Sequence, residues 1–299
     1  MVRRVAFAAV AIPLALGIVW FGGWPLALTV SLVSALGTRE FYDLALKNGI
    51  DAARRFGIAS AALCGPLALL ASPRGPLAGV SSIAAFIGWW PYLGALWILG
   101  LLVWALARRA PTERPLEAVA VTAFGVLYAG ALPAFLIAIR HGVFGGQSWA
   151  GTWLVFFPMV VIWVCDSAAM SGGRAIGGAK LAPTISPGKT RSGSTVGVLG
   201  GLLVAPIFAY LVFPRVAISA GVVALLVIAA LISVLGQLGD LAESLFKREV
   251  GVKDSSQLIP GHGGVLDRID SITAAMPLRR SCTSERLSSI RFMIGFPRS

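Results

Sequence analysis

The stretch VAISAGVVALLVIAALISVLGQLGDLAESLFKR, residues 216–248, holds two kinds of sequence joined end to end. Val216 to Leu235 is apolar and uncharged, close to the roughly 20 residues that a helix needs to cross a bilayer core of about 30 Å. Asp240, Glu243, Ser244 and Lys247 then follow at helical spacing, so an apolar span acquires a polar stripe on one face as it leaves the membrane. The plain alternative is a helix end entering water, with Glu243 and Lys247 as an ordinary surface pair. Asp240 fits that alternative poorly, because Gly236 and Gly239 let other groups come close to it.

Further runs of this kind extend outward along the chain. They fall at Val5–Trp20, Pro25–Leu36, Ile58–Ala71, Val80–Ala107 with a break near Pro91, Ala118–Ile139, Trp153–Met170 and Val196–Phe213, with a short last run at Val265–Leu278. The expected fold class is therefore an all-α polytopic membrane protein with about eight or nine transmembrane helices. Composition agrees: 57% of the residues are hydrophobic, 13% are charged, and mean hydropathy is +0.83. That excludes an ordinary water-soluble domain. The net charge of +12 reads first as positive loops that set topology and only then as a sign of anionic partners. Cys64, Cys165 and Cys282 are widely separated, which predicts neither a disulfide framework nor a zinc site. Arg3 and Arg4 ahead of an apolar run read as the start of a first span rather than a cleaved leader. No internal repeat of the transporter kind is visible.

Polarity is lopsided. Asp166 is the single carboxylate between Glu117 and Asp240, and it lies inside an apolar run, where an ionisable group is costly enough to suggest function. Beyond it Asp240, Glu243, Glu249, Asp254, Asp267 and Asp270 crowd together. Residues 1–150 read as transmembrane scaffold with an interfacial segment at 39–55. Residues 151–278 read as the catalytic region, and 279–299 as a polar tail.

Asp267 and Asp270 stand three residues apart on a helix that otherwise reads Val265, Leu266, Ile269 and Ile272. Two carboxylates on one low-dielectric wall repel unless a cation joins them, and Mg²⁺ suits carboxylate, water and phosphate oxygens. Neutralisation by Arg268 is the structural alternative. Gly261, Gly263 and Gly264 permit a tight turn whose N–H groups could face an anion. The loop Arg174–Arg191 carries Arg174, Lys180, Lys189 and Arg191 and no acid. Its Ser186-Pro187-Gly188-Lys189-Thr190 is no P-loop, since Pro183 stands where a glycine is required. What remains is a stiffened turn with hydroxyls and a lysine able to reach a phosphate, or else a loop that only sets topology. His262 reads as a proton donor or nucleotide contact, or else as a turn histidine that only hydrogen-bonds, and His141 reads as structural.

The run Ser244-Leu-Phe-Lys247-Arg248, then Lys253-Asp254, then Pro260-Gly-His262-Gly263-Gly264-Val-Leu-Asp267-Arg268-Ile-Asp270 resembles the signature of the phosphatidate cytidylyltransferase (CDP-diacylglycerol synthase) family. Asp166-Ser-Ala-Ala, Lys180-Leu-Ala-Pro183 and Ser186-Pro187-Gly-Lys189-Thr190 agree with it. The resemblance covers residues 163–277 well and the N-terminal half mainly in hydropathy. It implies transfer of a cytidylyl group from CTP to phosphatidic acid, with Mg²⁺ as cofactor and room for a second cation. It also implies a polar, metal-binding cavity near the cytoplasmic face of the cell membrane. By resemblance Asp240, Asp267 and Asp270 hold metal, and Lys247 and Arg248 join them as catalytic residues. Asp166, Lys180, Ser186, Pro187, Lys189, Thr190, Ser244, Lys253, Asp254, His262, Gly263, Gly264 and Arg268 bind substrate. The expected partners are CTP, phosphatidic acid and the bilayer, with no nucleic acid; a homodimer is compatible with this reading. Two departures stand out. Ser192 precedes Gly193 where the family carries an acid or amide, and the chain turns polar after Pro277 where relatives continue apolar, so the Asp267–Asp270 helix is expected to be less well anchored. The rival readings are a transporter or flippase for a phosphorylated substrate, and a CTP-using enzyme acting on another lipid.

Overall fold

The computed structural model describes residues 13–72, 83–142, 148–256, 258 and 263–268, with 83–90 as backbone only. The calls on His262, Asp270, the rest of the last apolar run and the tail 279–299 lie outside the described residues. A helical stretch at residues 13–21 leads into α1 (Gly23–Lys47), followed by α2 (Arg54–Leu70) and α3 (Ile83–Arg108). α4 (Pro115–Gly125) runs through a π-helical turn, Val126–Ala131, into α5 (Leu132–Gly142), and α6 spans Trp149–Ile176. A short antiparallel hairpin, β1 (Lys180–Ala182) and β2 (Ser186–Thr190), then joins α6 to α7 (Arg191–Ile207). The last long helix is α8 (Val222–Glu249).

Among the described residues, five helical segments have the length and apolarity to cross a bilayer: Pro91–Arg108, Pro115–Gly142, Trp149–Ile176, Arg191–Val212 and Val222–Glu249. Their outward faces carry Leu106, Leu203, Tyr210 and Val223, large apolar side chains that hydrocarbon rather than water would cover. One expectation changes. Pro91 lies inside one helix and does not divide α3 in two, because a proline removes one internal hydrogen bond and kinks a helix without ending an apolar run. The stretch 39–47, expected at the interface, is the last part of α1, and Glu40, Phe41, Tyr42 and Leu44 are buried there. The buried stripe that begins at Leu26, Ala27 and Val30 continues through Ser34 and Gly37 to these residues, so one face of α1 stays covered to its end.

α6 stands at the centre. Its Phe157, Val161 and Ile162 pack with Val204 of α7, with Phe208 just beyond α7, and with Ile228 and Ile232 of α8. Its Val155 and Phe156 pack the other way, on Val30 of α1, Leu69 of α2 and Ile137 of α5. α6 and α7 lie so close that a Cβ at Gly197 would come within 2.8 Å of the Ala169 Cβ and 2.9 Å of the Cys165 carbonyl oxygen. Small residues give membrane helices such contact, since lipid supplies no hydrophobic force between them. A third cluster joins Phe41, Tyr42 and Tyr128 to Leu266, and the ring of Phe246 on α8 lies 6.1 Å from that of Phe41. The ends of α1 and α8 are therefore neighbours, and the Asn48 Nδ2 donates to Glu249 Oε1 at 2.6 Å.

Arg140, fully buried at the end of α5, holds the junction between the first helical stretch and α1. Its Nε donates to the Val19 carbonyl and its Nη2 to that of Trp20, both at 2.8 Å. His141 Nε2 accepts from the Gly23 N–H at 2.9 Å, which gives this residue the structural place expected of it. Arg140→Met leaves two interior carbonyls without these donors, and we expect a loss of about 2 kcal/mol. Thermal unfolding in detergent measures it.

Candidate active site

The polar stripe of α8 is the floor of the site. Lys247 Nζ lies 3.0 Å from Glu243 Oε1, one turn back, and 2.5 Å from Asp267 Oδ1. One turn further into the span, Asp240 Oδ2 meets Lys189 Nζ at 2.5 Å. Glu243 has no exposed side-chain surface, so the pair with Lys247 is an interior contact and not the surface pair of the plain reading.

Lys189 reaches α8 because of how the basic loop folds. Residues expected to form an open loop pair as β1 and β2, with Lys180 opposite Thr190 and Ala182 opposite Ser186. Thr190 ends the hairpin and caps α7, its Oγ1 accepting from the Gly193 N–H at 3.1 Å. Ser192 Oγ donates to the Gly177 carbonyl and lies 3.1 Å from Thr190 Oγ1, which fastens the hairpin base. At the tip, Arg248 Nε donates to the Ile185 carbonyl at 3.1 Å and Nη1 to the Val252 carbonyl at 2.9 Å. In this arrangement the Arg248 guanidinium holds the hairpin against the end of α8.

Asp267 sits in a nest of donors. Its Oδ2 accepts from the Ser255 N–H at 3.0 Å and from the Gly264 N–H at 2.8 Å, and the Ser255 hydroxyl, which it shares with Glu40 Oε2, lies 3.0 Å away. Burial pushes its carboxyl up. Hydrogen bonding to Lys247 and the Gly264 N–H, together with the Lys247 charge, outweighs burial and holds it down at about 2. Asp267 is thus ionised throughout the neutral range. Of the turn read as able to face an anion, the Gly264 N–H meets the protein's own Asp267, and the N–H groups of Val265 and Leu266 meet Glu40. Gly263 has a φ of 79°, a backbone shape that glycine adopts without strain. A Cβ on Gly264 would collide with Ser255 Oγ and the Glu40 carboxylate.

Glu40 is the residue that the sequence reading missed. It was placed among interfacial charges, whereas it is 4% exposed and is bound by a segment more than 200 positions away. The available signal was periodicity, since Glu40 falls on the buried stripe of α1.

Of the other expected site residues, Ser186 and Ser244 are half-buried, and Lys180, Pro187, Lys253, Asp254 and Arg268 are exposed. Asp254 lies beside the Gly263 turn. Asp166 is exposed on α6, inside the span Trp149–Ile176. The described residues thus bring together Lys189 with Asp240, and Lys247 with Glu243 and Asp267, and they place Arg248 against the hairpin.

The donor set suits a hard divalent cation in kind. Lys189 pairs with Asp240, and Lys247 pairs with both Glu243 and Asp267, so along this face the carboxylates outnumber the ammonium groups that meet them. Among the described residues no three His, Cys, Asp or Glu side chains converge closely enough to hold an ion by themselves. A complete ligand set therefore needs Asp270, a substrate phosphate or water besides these groups.

Comparison with known proteins agrees with this region and with the rest of the chain. The profile of the cytidylyltransferase family matches residues 2–282. A phosphatidate cytidylyltransferase of Synechocystis is 33% identical over 298 residues, covering 92% of this chain and 94% of the relative. One from Brucella suis is 35% identical over 279 residues, covering 92% and 90%. One from Haemophilus influenzae is 46% identical over a shorter region, 42% of this chain and 44% of the relative. With a buried lysine-carboxylate cluster where the signature predicts the chemistry, and a match along nearly the whole sequence, the chain belongs to the cytidylyltransferase family.

Proposed function

We propose that this chain transfers the cytidylyl group of CTP to phosphatidic acid, giving CDP-diacylglycerol and pyrophosphate. The observation that carries the reading is the meeting of the hairpin lysine, Lys189, with Asp240 on α8, one turn from the Lys247 cluster and at the end of an apolar span. A membrane enzyme that joins a lipid phosphate to a nucleotide needs this combination of phosphate-binding cations and cation-binding carboxylates beside the headgroups.

A phosphate oxygen of phosphatidic acid forms a bond to the α-phosphorus of CTP. The bond from that phosphorus to the bridging oxygen breaks, and pyrophosphate leaves with the electron pair. Both reactants are anions, so the protein supplies cations and alignment more than acid–base chemistry, and an ionised phosphate needs no strong general base. Lys189 and the exposed Lys180 on the hairpin, with Lys253 beyond α8, neutralise triphosphate oxygens. Ser186 and Thr190 orient the hairpin and its ligand. Arg248 keeps the hairpin over α8, and Lys247 holds Asp267 ionised and in place. Asp240, Asp267 and Asp270 would hold Mg²⁺, which when bound screens phosphate charge and stabilises the leaving oxygen.

On this reading the helical stretch 13–21, α1 and α2 lie in the bilayer beside the five segments named above, which gives eight spans, the lower of the two counts read from the sequence. The hairpin and the polar end of α8 face the cytoplasm, where CTP is and where basic loops remain. Membranes containing the chain, given α-labelled CTP, phosphatidic acid and Mg²⁺, should place label in lipid. γ-Label alone entering lipid would make it a CTP-dependent kinase, and label in neither form would return the reading to transport.

A further inference from the structure

We propose that Glu40 is a positioning residue of the active site, acting through Ser255 and Asp267 on the site for the divalent cation and the triphosphate. The inference rests on the function proposed above and adds to it a residue from the N-terminal scaffold that the signature does not contain.

The Glu40 carboxylate accepts three hydrogen bonds of its own and shares a fourth, from the Ser255 hydroxyl, with Asp267. Oε1 takes the Ser256 Oγ at 2.6 Å and the Val265 N–H at 3.0 Å, while Oε2 takes the Ser255 Oγ and the Leu266 N–H, each at 2.9 Å. A carboxylate this deeply buried is costly unless its lone pairs are filled, and here they are filled by the two strands of chain that flank the glycine turn. Glu40 thereby fixes the spacing between residues 255–256 and 265–266. That spacing places Asp267, because Ser255 Oγ contacts both Glu40 Oε2 at 2.9 Å and Asp267 Oδ2 at 3.0 Å. Asp267 in turn meets Lys247 on α8. The chain of contacts runs from α1 to the floor of the site without a break. Leu266, 1% exposed among Phe41, Tyr42 and Tyr128, supplies an apolar anchor on the same helix end.

A simple packing role for Glu40 would be met by an apolar residue of similar size. An acceptor with both oxygens doubly used is required only if the direction of these backbone and hydroxyl groups matters. Outer partners of metal-binding carboxylates typically change metal affinity or activity by about 10–100-fold when replaced. Glu40→Gln keeps the shape but turns one oxygen into a donor facing a hydroxyl and an N–H. Ser255→Ala keeps the Glu40 bonds to Ser256, Val265 and Leu266 and removes the hydroxyl that Glu40 and Asp267 share.

The test uses the full chain in detergent, with folded yield, turnover, Mg²⁺ half-saturation, and CTP·Mg²⁺ affinity by equilibrium binding. The expected result for Glu40→Gln is folded protein whose Mg²⁺ half-saturation rises and whose CTP·Mg²⁺ affinity falls, each by about tenfold. Ser255→Ala should shift both in the same direction by less, and Glu40→Asp should recover part of the loss. Wild-type Mg²⁺ half-saturation and nucleotide affinity in folded Glu40→Gln overturn the proposal, whatever the yield. If that variant does not fold, wild-type values for Ser255→Ala overturn it instead. A wild-type chain that binds CTP but labels no lipid defeats the function proposed above, while the ratio of nucleotide affinities still decides the role of Glu40.

Discussion

Asp240→Asn and Asp270→Asn should each lower cytidylyl transfer by about two to three orders of magnitude while leaving the yield of folded protein close to wild type. The substitution keeps side-chain size and removes a charge. For Asp240 it replaces a carboxylate oxygen that meets Lys189 at 2.5 Å. That contact is about one third exposed on both sides, so its loss is worth little to stability. The two effects therefore separate: a large fall in turnover, a small shift in unfolding. If Asp240 binds cation, raising Mg²⁺ recovers part of the activity; if it only holds Lys189, added Mg²⁺ does not. Turnover near wild type in either variant removes that residue from the ligand set.

Lys247→Met should be among the most destabilising single changes in the chain, costing about 3–5 kcal/mol. Lys247 is 11% exposed and its ammonium stands between Glu243, at 0%, and Asp267, at 8%. Removing it leaves two interior carboxylates facing each other without the cation that compensates them. By contrast Arg114 and Glu117 form an ion pair on side chains that are 50% and 43% exposed, and breaking it should cost less than about 1 kcal/mol. Thermal unfolding of both variants in detergent makes the comparison. Adding Glu243→Gln to Lys247→Met should restore part of the loss, because it removes one stranded charge. If the double variant is no more stable than the single, charge compensation is not what Lys247 supplies.

These expectations divide according to how far a residue's meaning travels along the chain. The sequence showed a helical membrane protein, since an apolar run of span length has only a few structures open to it in lipid. It also placed Asp240, Glu243 and Lys247 on one face, because three- and four-residue spacing on a helix is a local matter. It located the signature and the phosphate-handling character of the Lys189 segment. It took that segment for a loop, because β1 and β2 are too short for an alternating pattern to stand out.

The tertiary structure alone decided which partners those faces meet. Lys189 and Asp240 are 51 positions apart, and Glu40 and Leu266 are 226 apart. Periodicity states that one side of α1 is covered, but not by what. Glu40 resembled a solvated interfacial acid because its neighbours Arg39 and Asp43 are charged, and only the packing of α1 against the Gly264 turn turns it inward. Local spacing fixes which way a side chain points from its own helix. The partner it finds is fixed by how whole helices close on one another.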